Sequence, residues 1–134
     1  MVRSAMMLWT DLVILLALLT YLGTFFYCGR QRAKHRIMAP ATTGHPDYER
    51  ALRIQQNTLE QLVVFVPACL LFSSLVNPLW GAILGAIWVA GRILYAVSYA
   101  RAPESRGPGF MIAMVALLVL VIGALVQTLL HLPL

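Results

Sequence analysis

The sequence predicts an all-α membrane protein built as a four-transmembrane-helix bundle. Of its 134 residues, 60% are hydrophobic and only 11% are charged. A soluble domain carries about 25% charged residues, so this chain has too few charges to cover a water-facing surface. A spanning helix needs ~20 apolar residues, and four such helices with short connections use nearly the whole length. No room remains for a separate soluble catalytic domain.

The four helices are expected within a single domain, 1-134. The first follows Arg3, and because it is long and lacks a small-x-small cleavage site, it is interpreted as a retained span rather than a signal peptide. The second has a polar first half and an apolar second half, and a tight Asn77-Pro78 turn follows it. The expected helices cover about 5-36, 47-75, 79-101 and 108-131.

Cations concentrate in two of the three connections, which predicts the orientation in the membrane. The positive-inside rule places the first and third connections in the cytoplasm and both termini outside. The short chain without a retention signal favours a bacterial inner membrane. These cations are Arg30, Arg32, Lys34, Arg36, Arg50 and Arg53 in or beside the first connection, and Arg101 and Arg106 in the third.

The composition argues against several classes of function. The net charge of +5 is typical of nucleic-acid binding, but a chain this apolar has no extended basic surface to offer a duplex. Cys28 and Cys69 lack a CxxC partner and are interpreted as small packing residues. The histidines at 35, 45 and 131 are scattered without ligand spacing, so no metal site is expected.

Polar side chains recur on one face of the second predicted helix. Spacings of three and four place Arg50, Arg53, Asn57 and Glu60 on that face. Gln55 lies off this stripe and is expected to face a neighbouring chain or the membrane interface. Charged groups inside a bilayer are costly, so each needs a partner or a watery cavity.

A second stripe, formed by Arg92, Tyr95 and Tyr99, runs along the third predicted helix. The two stripes are consistent with a polar seam between helices or with a binding site. Cations exceed carboxylates at this membrane edge, which suits an anionic ligand with several carboxylates, because a guanidinium grips a carboxylate bidentately. Glu60 remains to hold a cationic group of the same ligand.

The two motifs together resemble the MAPEG family, the membrane-associated proteins in eicosanoid and glutathione metabolism. The resemblance implies a trimer of four-helix subunits with glutathione bound between neighbours. It assigns Arg53, Gln55, Asn57 and Glu60 of one subunit, with Arg92, Tyr95 and Tyr99 of the next, to the tripeptide, and Arg106 to its sulfur. The motifs are Tyr48-Glu49-Arg50-x-x-Arg53-x-Gln55-x-Asn57-x-x-Glu60 and Gly91-Arg92-x-x-Tyr95-x-x-x-Tyr99-Ala100-Arg101.

Two departures from the family pattern bear on the substrate. Eicosanoid-forming relatives end the first helix in two adjacent arginines, whereas here Arg32 is followed by Ala33 and Arg30 stands in for the second. The resemblance implies that Arg30 and Arg32 also bind glutathione. Gln61 also replaces an aromatic residue of those relatives. Both departures favour a general glutathione transferase.

The resemblance implies that Arg106 stabilises the glutathione thiolate, the form that acts as nucleophile. The second substrate would be a lipophilic electrophile arriving through the lipid, or a lipid hydroperoxide in a peroxidase reaction. Two alternatives stay open. One is a non-catalytic lipid-binding protein of the same fold. The other is a small four-helix multidrug exporter with Asp11 as its membrane carboxylate.

Overall fold

A computed structural model, which describes residues 4–133, shows four long α-helices and one 3₁₀ turn. Each long helix is long and apolar enough to cross a membrane. The all-α, four-span prediction is therefore confirmed, and the chain is a multi-pass membrane protein. The helices are α1 (Ala5–Lys34), α2 (Pro46–Leu75), α3 (Pro78–Arg101) and α4 (Gly107–Leu130), with the 3₁₀ helix at Pro103–Arg106.

The first helix ends at Lys34, two residues before the predicted end at 36. Arg36 adopts a left-handed conformation with φ of 54°. The amide of Ile37 donates to the carbonyl of Arg32 at 3.0 Å, and the amide of Arg36 donates to the carbonyl of Ala33 at 3.2 Å. This Schellman arrangement satisfies the last carbonyls of the helix and stops it.

Local capping sets where α2 begins. Pro46 occupies the first helical position, where a missing N–H costs nothing. The His45 Nδ1 accepts a hydrogen bond from the amide of Asp47 at 3.2 Å. Glu49 Oε1 accepts one from the amide of Gly44 at 3.0 Å. The acidic first turn also complements the helix dipole.

Two contacts show which ends of the helices lie together. The Thr10 hydroxyl donates to Ser73 Oγ at 3.0 Å, which joins the start of α1 to the end of α2. At the opposite end, Arg50 Nη1 donates to the carbonyl of Ala100 at 3.0 Å, which joins the start of α2 to the end of α3. The α1–α2 and α3–α4 connections, which carry most of the cations, therefore share one end of the bundle.

The helices α2 and α3 form the centre of the molecule, and each packs against the other three helices. Phe65 stacks on Trp88 with 4.1 Å between ring centroids, and both side chains are fully buried. The Trp88 indole donates to Gln61 Oε1 at 3.0 Å. This bond satisfies the polar tip of the tryptophan, as a buried indole requires.

The helices α3 and α4 approach closely at two glycines. A Cβ on Gly91 would lie 2.7 Å from the backbone nitrogen of Ala113, and one on Gly109 would lie 2.9 Å from the carbonyl oxygen of Gly91 and closer still to the backbone of Tyr95. Small residues allow such contacts in membranes, where association depends on packing. Gly109 in this way fixes Tyr95 against the start of α4.

The substitution Gly91→Ala is expected to destabilise the protein, because the new methyl group meets backbone atoms that cannot move independently. The expected loss is about 1–3 kcal/mol, as for other overpacked sites. Thermal unfolding of the detergent-solubilised protein measures it. The matched control is Gly23→Ala on α1, where nothing lies within 4 Å of the added Cβ. Equal melting temperatures for the two variants would contradict the close helix approach.

Candidate functional site

A polar cavity of about 360 Å³ opens at the cation-rich end of the bundle. Three elements besides α2 form its wall, namely α3, the 3₁₀ helix and α4. Of its eight lining residues, Gly107 has no side chain and five have polar side chains. The lining residues are Arg53, Asn57, Tyr95, Tyr99, Arg106, Gly107, Phe110 and Met111.

The α2 side of the cavity carries a hydrogen-bonded group of three side chains. Arg53 Nη1 donates to Glu60 Oε1 at 3.3 Å, and Asn57 Nδ2 donates to Glu60 Oε2 at 3.3 Å. The side chains of Arg53 and Glu60 are 51% and 58% exposed, so both remain accessible to a ligand. Asn57 Oδ1 is buried and lacks a hydrogen-bond partner within residues 4–133.

The α3 side carries two tyrosines and a cation above them. The rings of Tyr95 and Tyr99 lie 5.6 Å apart between centroids. Arg106, on the 3₁₀ helix, places its guanidinium carbon 5.2 Å from the centroid of the Tyr99 ring and donates to the carbonyl of Pro103 at 3.3 Å. The 3₁₀ turn thus returns Arg106 over the tyrosines of the preceding helix.

Arg92 lies behind this wall and does not line the cavity. Its side chain is fully buried, donates to the Thr58 hydroxyl at 2.8 Å, and packs 4.1 Å from the centroid of the Tyr95 ring. Of the described residues, none accepts a hydrogen bond from its Nε or Nη1. The structure therefore places Arg92 beneath a cavity-lining tyrosine.

The expected division of the site between two subunits stays a prediction, but four of its residues already meet within one chain. Arg53 and Asn57 of α2 line the same cavity as Tyr95 and Tyr99 of α3 within a single chain. The reason is that α2 and α3 pack directly against each other, so that their polar stripes meet inside one subunit. Spacing along each helix reveals the two stripes but not whether they face one another.

Gln55 lies off the α2 stripe and away from the cavity, and its amide contacts α1 of the same chain, so its expected contact with a neighbouring chain or the membrane interface stays a prediction. It sits about 200° around α2 from Arg53, and its Nε2 donates to the Tyr21 hydroxyl on α1 at 3.5 Å. The two arginines near the end of α1 also lie outside the cavity. Arg32 donates to the hydroxyl of Tyr48 and to the carbonyl of Ala41 at 3.0 Å, whereas Arg30 is exposed.

Apolar side chains near the third and fourth helices are expected to receive the lipophilic substrate, but the sequence does not identify which of them line the cavity. Phe110 and Met111 at the start of α4 line it, and the Phe110 ring lies 6.3 Å from that of Tyr95. The sequence of α4 is so uniformly apolar that no periodicity separates these two positions from the lipid-facing ones. A second, apolar groove of about 690 Å³ lies between α1 and α3, on another face of the bundle.

The prediction that the histidines are scattered is wrong for two of them. The rings of His35 and His45 stack with 3.5 Å between centroids, and His35 Nε2 lies 3.8 Å from Asp47 Oδ2. Burial, followed by the neighbouring imidazole of His45, lowers the pKa of His35. The sequence could have indicated this contact, because both histidines flank the first connection and the two ends of that connection must meet in a helical hairpin.

The cavity combines two cations and two phenols at the end of an apolar bundle, and the carboxylate of Glu60 is hydrogen-bonded to two of its lining residues. Guanidinium groups bind carboxylates bidentately, and a cation beside a thiol favours the thiolate. The aromatic and thioether groups of α4 offer a surface for an apolar molecule. Such a site can hold a small, multiply charged thiol next to a lipophilic reactant.

Comparisons with known proteins agree with this description. The chain is 48% identical over 123 residues to an uncharacterised protein of Synechocystis, which covers 92% of this chain and 90% of that protein. It is 33% identical to human microsomal glutathione S-transferase 2, over 72% of this chain and 67% of the relative. It is 31% identical to leukotriene C4 synthase of Cavia porcellus, over 72% and 68%.

The model of one protein family covers most of the chain, from residue 9 to residue 126. This match includes all four spans, the α2 and α3 stripes and Arg106. The named relatives are a microsomal glutathione S-transferase and a leukotriene C4 synthase. The chain therefore belongs to the MAPEG family.

Proposed function

We propose that this protein is a membrane-bound glutathione transferase that conjugates the glutathione thiolate to lipophilic electrophiles. The observation that carries the proposal is the single cavity in which Arg53, Tyr95, Tyr99 and Arg106 converge. Glutathione is the co-substrate. The names of the human and Cavia porcellus relatives support this assignment.

The α2 side of the cavity suits the charged ends of the tripeptide. Glutathione carries two carboxylates and one ammonium group. Arg53 offers guanidinium donors beyond the one it gives Glu60, and a charged hydrogen bond of this kind contributes about 1.5–3 kcal/mol. Glu60, which is 58% exposed, would hold the ammonium group, with Asn57 positioning its second oxygen.

Arg106 would stabilise the sulfur in its ionised form. A fixed cation lowers a thiol pKa from ~8.5 towards neutrality, and an arginine stays protonated throughout, so it stabilises charge without acting as the base. The thiolate then attacks the electrophilic carbon, a carbon–sulfur bond forms, and the leaving group departs with the electron pair of its own bond. The thiol proton leaves to solvent through the open cavity.

The electrophile would enter from the lipid side, where Phe110 and Met111 line the cavity. With a lipid hydroperoxide, the same thiolate would attack the terminal peroxide oxygen and release the alcohol after protonation. A second glutathione thiol would then form the disulfide and release water. Both reactions would begin with the thiolate that Arg106 stabilises.

Arg92 is assigned a positioning role rather than direct contact with glutathione. It links Thr58 of α2 to Tyr95 of α3 from beneath. Its burial supports this assignment, since a fully buried guanidinium cannot reach a ligand in the cavity without moving the tyrosine. Arg92 would therefore affect binding through the orientation of Tyr95.

Three chains would assemble as a homotrimer in which a neighbour completes each site. Arg30 is exposed, and Gln55 faces away from the cavity of its own chain, so both could contact glutathione only in the cavity of another chain. Arg32 is engaged with Tyr48 and Ala41 inside its own subunit. We therefore assign the intersubunit contact to Arg30 rather than Arg32.

The site is proposed to face the cytoplasm of a bacterium, with both termini outside the inner membrane. The cations of the first and third connections lie at the cavity end of the bundle, and such residues favour the cytoplasmic side. The cyanobacterial relative supports a bacterial membrane. Membrane lipids would surround the apolar outer faces of all four helices.

The alternatives have less support. A non-catalytic lipid-binding protein does not need a cation above the cavity, yet Arg106 is held there by the 3₁₀ turn. An exporter requires a working carboxylate on α1. The candidate carboxylate, Asp11, is next to Thr10 in the sequence, and Thr10 contacts Ser73. Asp11 therefore lies at the end of the bundle opposite the cavity and takes no part in that site.

Arg106→Ala is expected to lower the rate of conjugation of a chlorodinitrobenzene by about 10²-fold, as for loss of one preorganised charge-stabilising donor. Glutathione should still bind, but without the ultraviolet absorbance of the thiolate. The matched control is Arg101→Ala, an exposed arginine at the same end of α3 that does not line the polar cavity. An undiminished thiolate signal in Arg106→Ala would disprove the assigned role.

Arg53→Ala is expected to weaken glutathione binding by about 1.5–3 kcal/mol, which is the contribution of a charge-assisted hydrogen bond. Calorimetric titration of the detergent-solubilised protein measures this change. Lys34→Ala removes the same formal charge from an exposed position outside the cavity and should leave the affinity unaltered. Equal losses in both variants would indicate a general charge effect instead.

The intersubunit assignment can be tested by complementation. Trimers made only of Arg30→Ala chains or only of Arg53→Ala chains should have every site impaired. In mixed trimers, one site should combine an intact Arg53 with an intact Arg30 from the neighbour, so co-expression should restore high-affinity binding. Native mass spectrometry establishes the composition of the trimers. If mixing restores nothing, Arg30 does not complete a neighbouring site.

A further inference from the structure

We propose that His35, His45 and Asp47 form a binding site for a borderline divalent cation such as Zn²⁺, which joins the end of α1 to the start of α2. One nitrogen of each imidazole and one oxygen of the carboxylate lie within 4.8 Å of one another. The three residues come from the C-cap of α1, the N-cap of α2 and the first turn of α2. The inference stands apart from the proposed transferase function.

The nitrogen of His35 provides the strongest support for a ligand. Its Nε2 is buried and has no hydrogen-bond partner in the described part of the chain. Asp47 Oδ2 lies 3.8 Å from this nitrogen, which is beyond hydrogen-bonding distance. Buried polar atoms are normally satisfied, and a cation between this nitrogen and the carboxylate would satisfy both.

The carboxylate of Asp47 has its two oxygens directed to different neighbours. Oδ2 lies 3.8 Å from His35 Nε2 and 4.0 Å from His45 Nδ1. Oδ1 lies 4.0 Å from Arg50 Nη2. Arg50 in turn donates to Ala100 at the end of α3. One oxygen is therefore free for a metal while the other is oriented by a neighbouring cation, as is usual around metal-ligating carboxylates.

The donor set selects the class of cation. Two imidazoles and one carboxylate, with a water in the fourth position, are a common ligand set for Zn²⁺. Mg²⁺ and Ca²⁺ prefer oxygen ligands and would find only one carboxylate here. Lys34, Arg36 and Arg50 lie nearby in the sequence, so affinity must come from the nitrogen ligands rather than from negative charge.

Coordination requires a modest rearrangement of the two rings. Tetrahedral ligands about 2.1 Å from zinc are separated by roughly 3.4 Å, so atoms that lie within 4.8 Å of one another need to approach by at most about 1.4 Å. The parallel imidazoles must also turn about their Cβ–Cγ bonds to aim their lone pairs at one point. This rotation is soft in histidine.

The test uses the full-length protein without a polyhistidine tag, in detergent, after treatment with a chelator. Calorimetric titration with Zn²⁺, and metal analysis after desalting, should show one zinc per chain. Zinc should also raise the melting temperature, because binding to the folded state alone stabilises it. Titration with Mg²⁺ should show no binding, and the Co²⁺ form should show a visible spectrum without a thiolate band.

Two variants make the outcome decisive. His35→Gln and His45→Asn should each weaken zinc binding by at least about tenfold, and Asn retains a side-chain acceptor for the N-cap of α2. His131→Gln, at the opposite end of the bundle, is the matched control and should bind like the parent protein. The proposal is overturned if the parent binds no zinc, or if the double variant His35→Gln/His45→Asn binds it equally well.

Discussion

A buried guanidinium between α2 and α3 is the constraint on which the cavity depends. Arg92 is fully buried, and a charge inside a membrane protein is tolerated only where polar groups and aromatic faces surround it. Its hydrogen bond to Thr58 and its contact with the Tyr95 ring fix the register of the two helices. Because that register is fixed, Arg53, five residues from Thr58 on α2, and Tyr99, four residues from Tyr95 on α3, face the same space.

Close packing on the other side of α3 completes the arrangement. Gly91 and Gly109 allow α4 to lie against the backbone of α3, and Tyr95 is thereby held between Arg92 and the start of α4. The 3₁₀ turn that follows α3 then carries Arg106 back over Tyr99. The close packing of α3 against α4 therefore helps to position the charged side chain of Arg106 at this end of the bundle.

The two kinds of surface in this molecule are separated along its length. One end carries the polar cavity, the cation-rich connections and the paired histidines, whereas the outer faces of the helices are apolar. A transferase acting on membrane-soluble electrophiles needs this combination, because its thiol substrate is water-soluble and highly charged while the second substrate resides in lipid. The cavity, with Arg106 above and Phe110 beside it, lies where the two environments meet.

The sequence by itself determined the four spans, the two polar stripes and the family, because hydropathy and the helical repeat depend on local order alone. The early end of α1 depended on the left-handed Arg36, which hydropathy does not reveal. Only the tertiary structure decided that the stripes of α2 and α3 face each other within one chain, that Arg92 lies under Tyr95, and that His35 meets His45. These relations depend on the rotation of each helix about its axis and on how a connection folds back, and both are set by side-chain packing between segments distant in sequence.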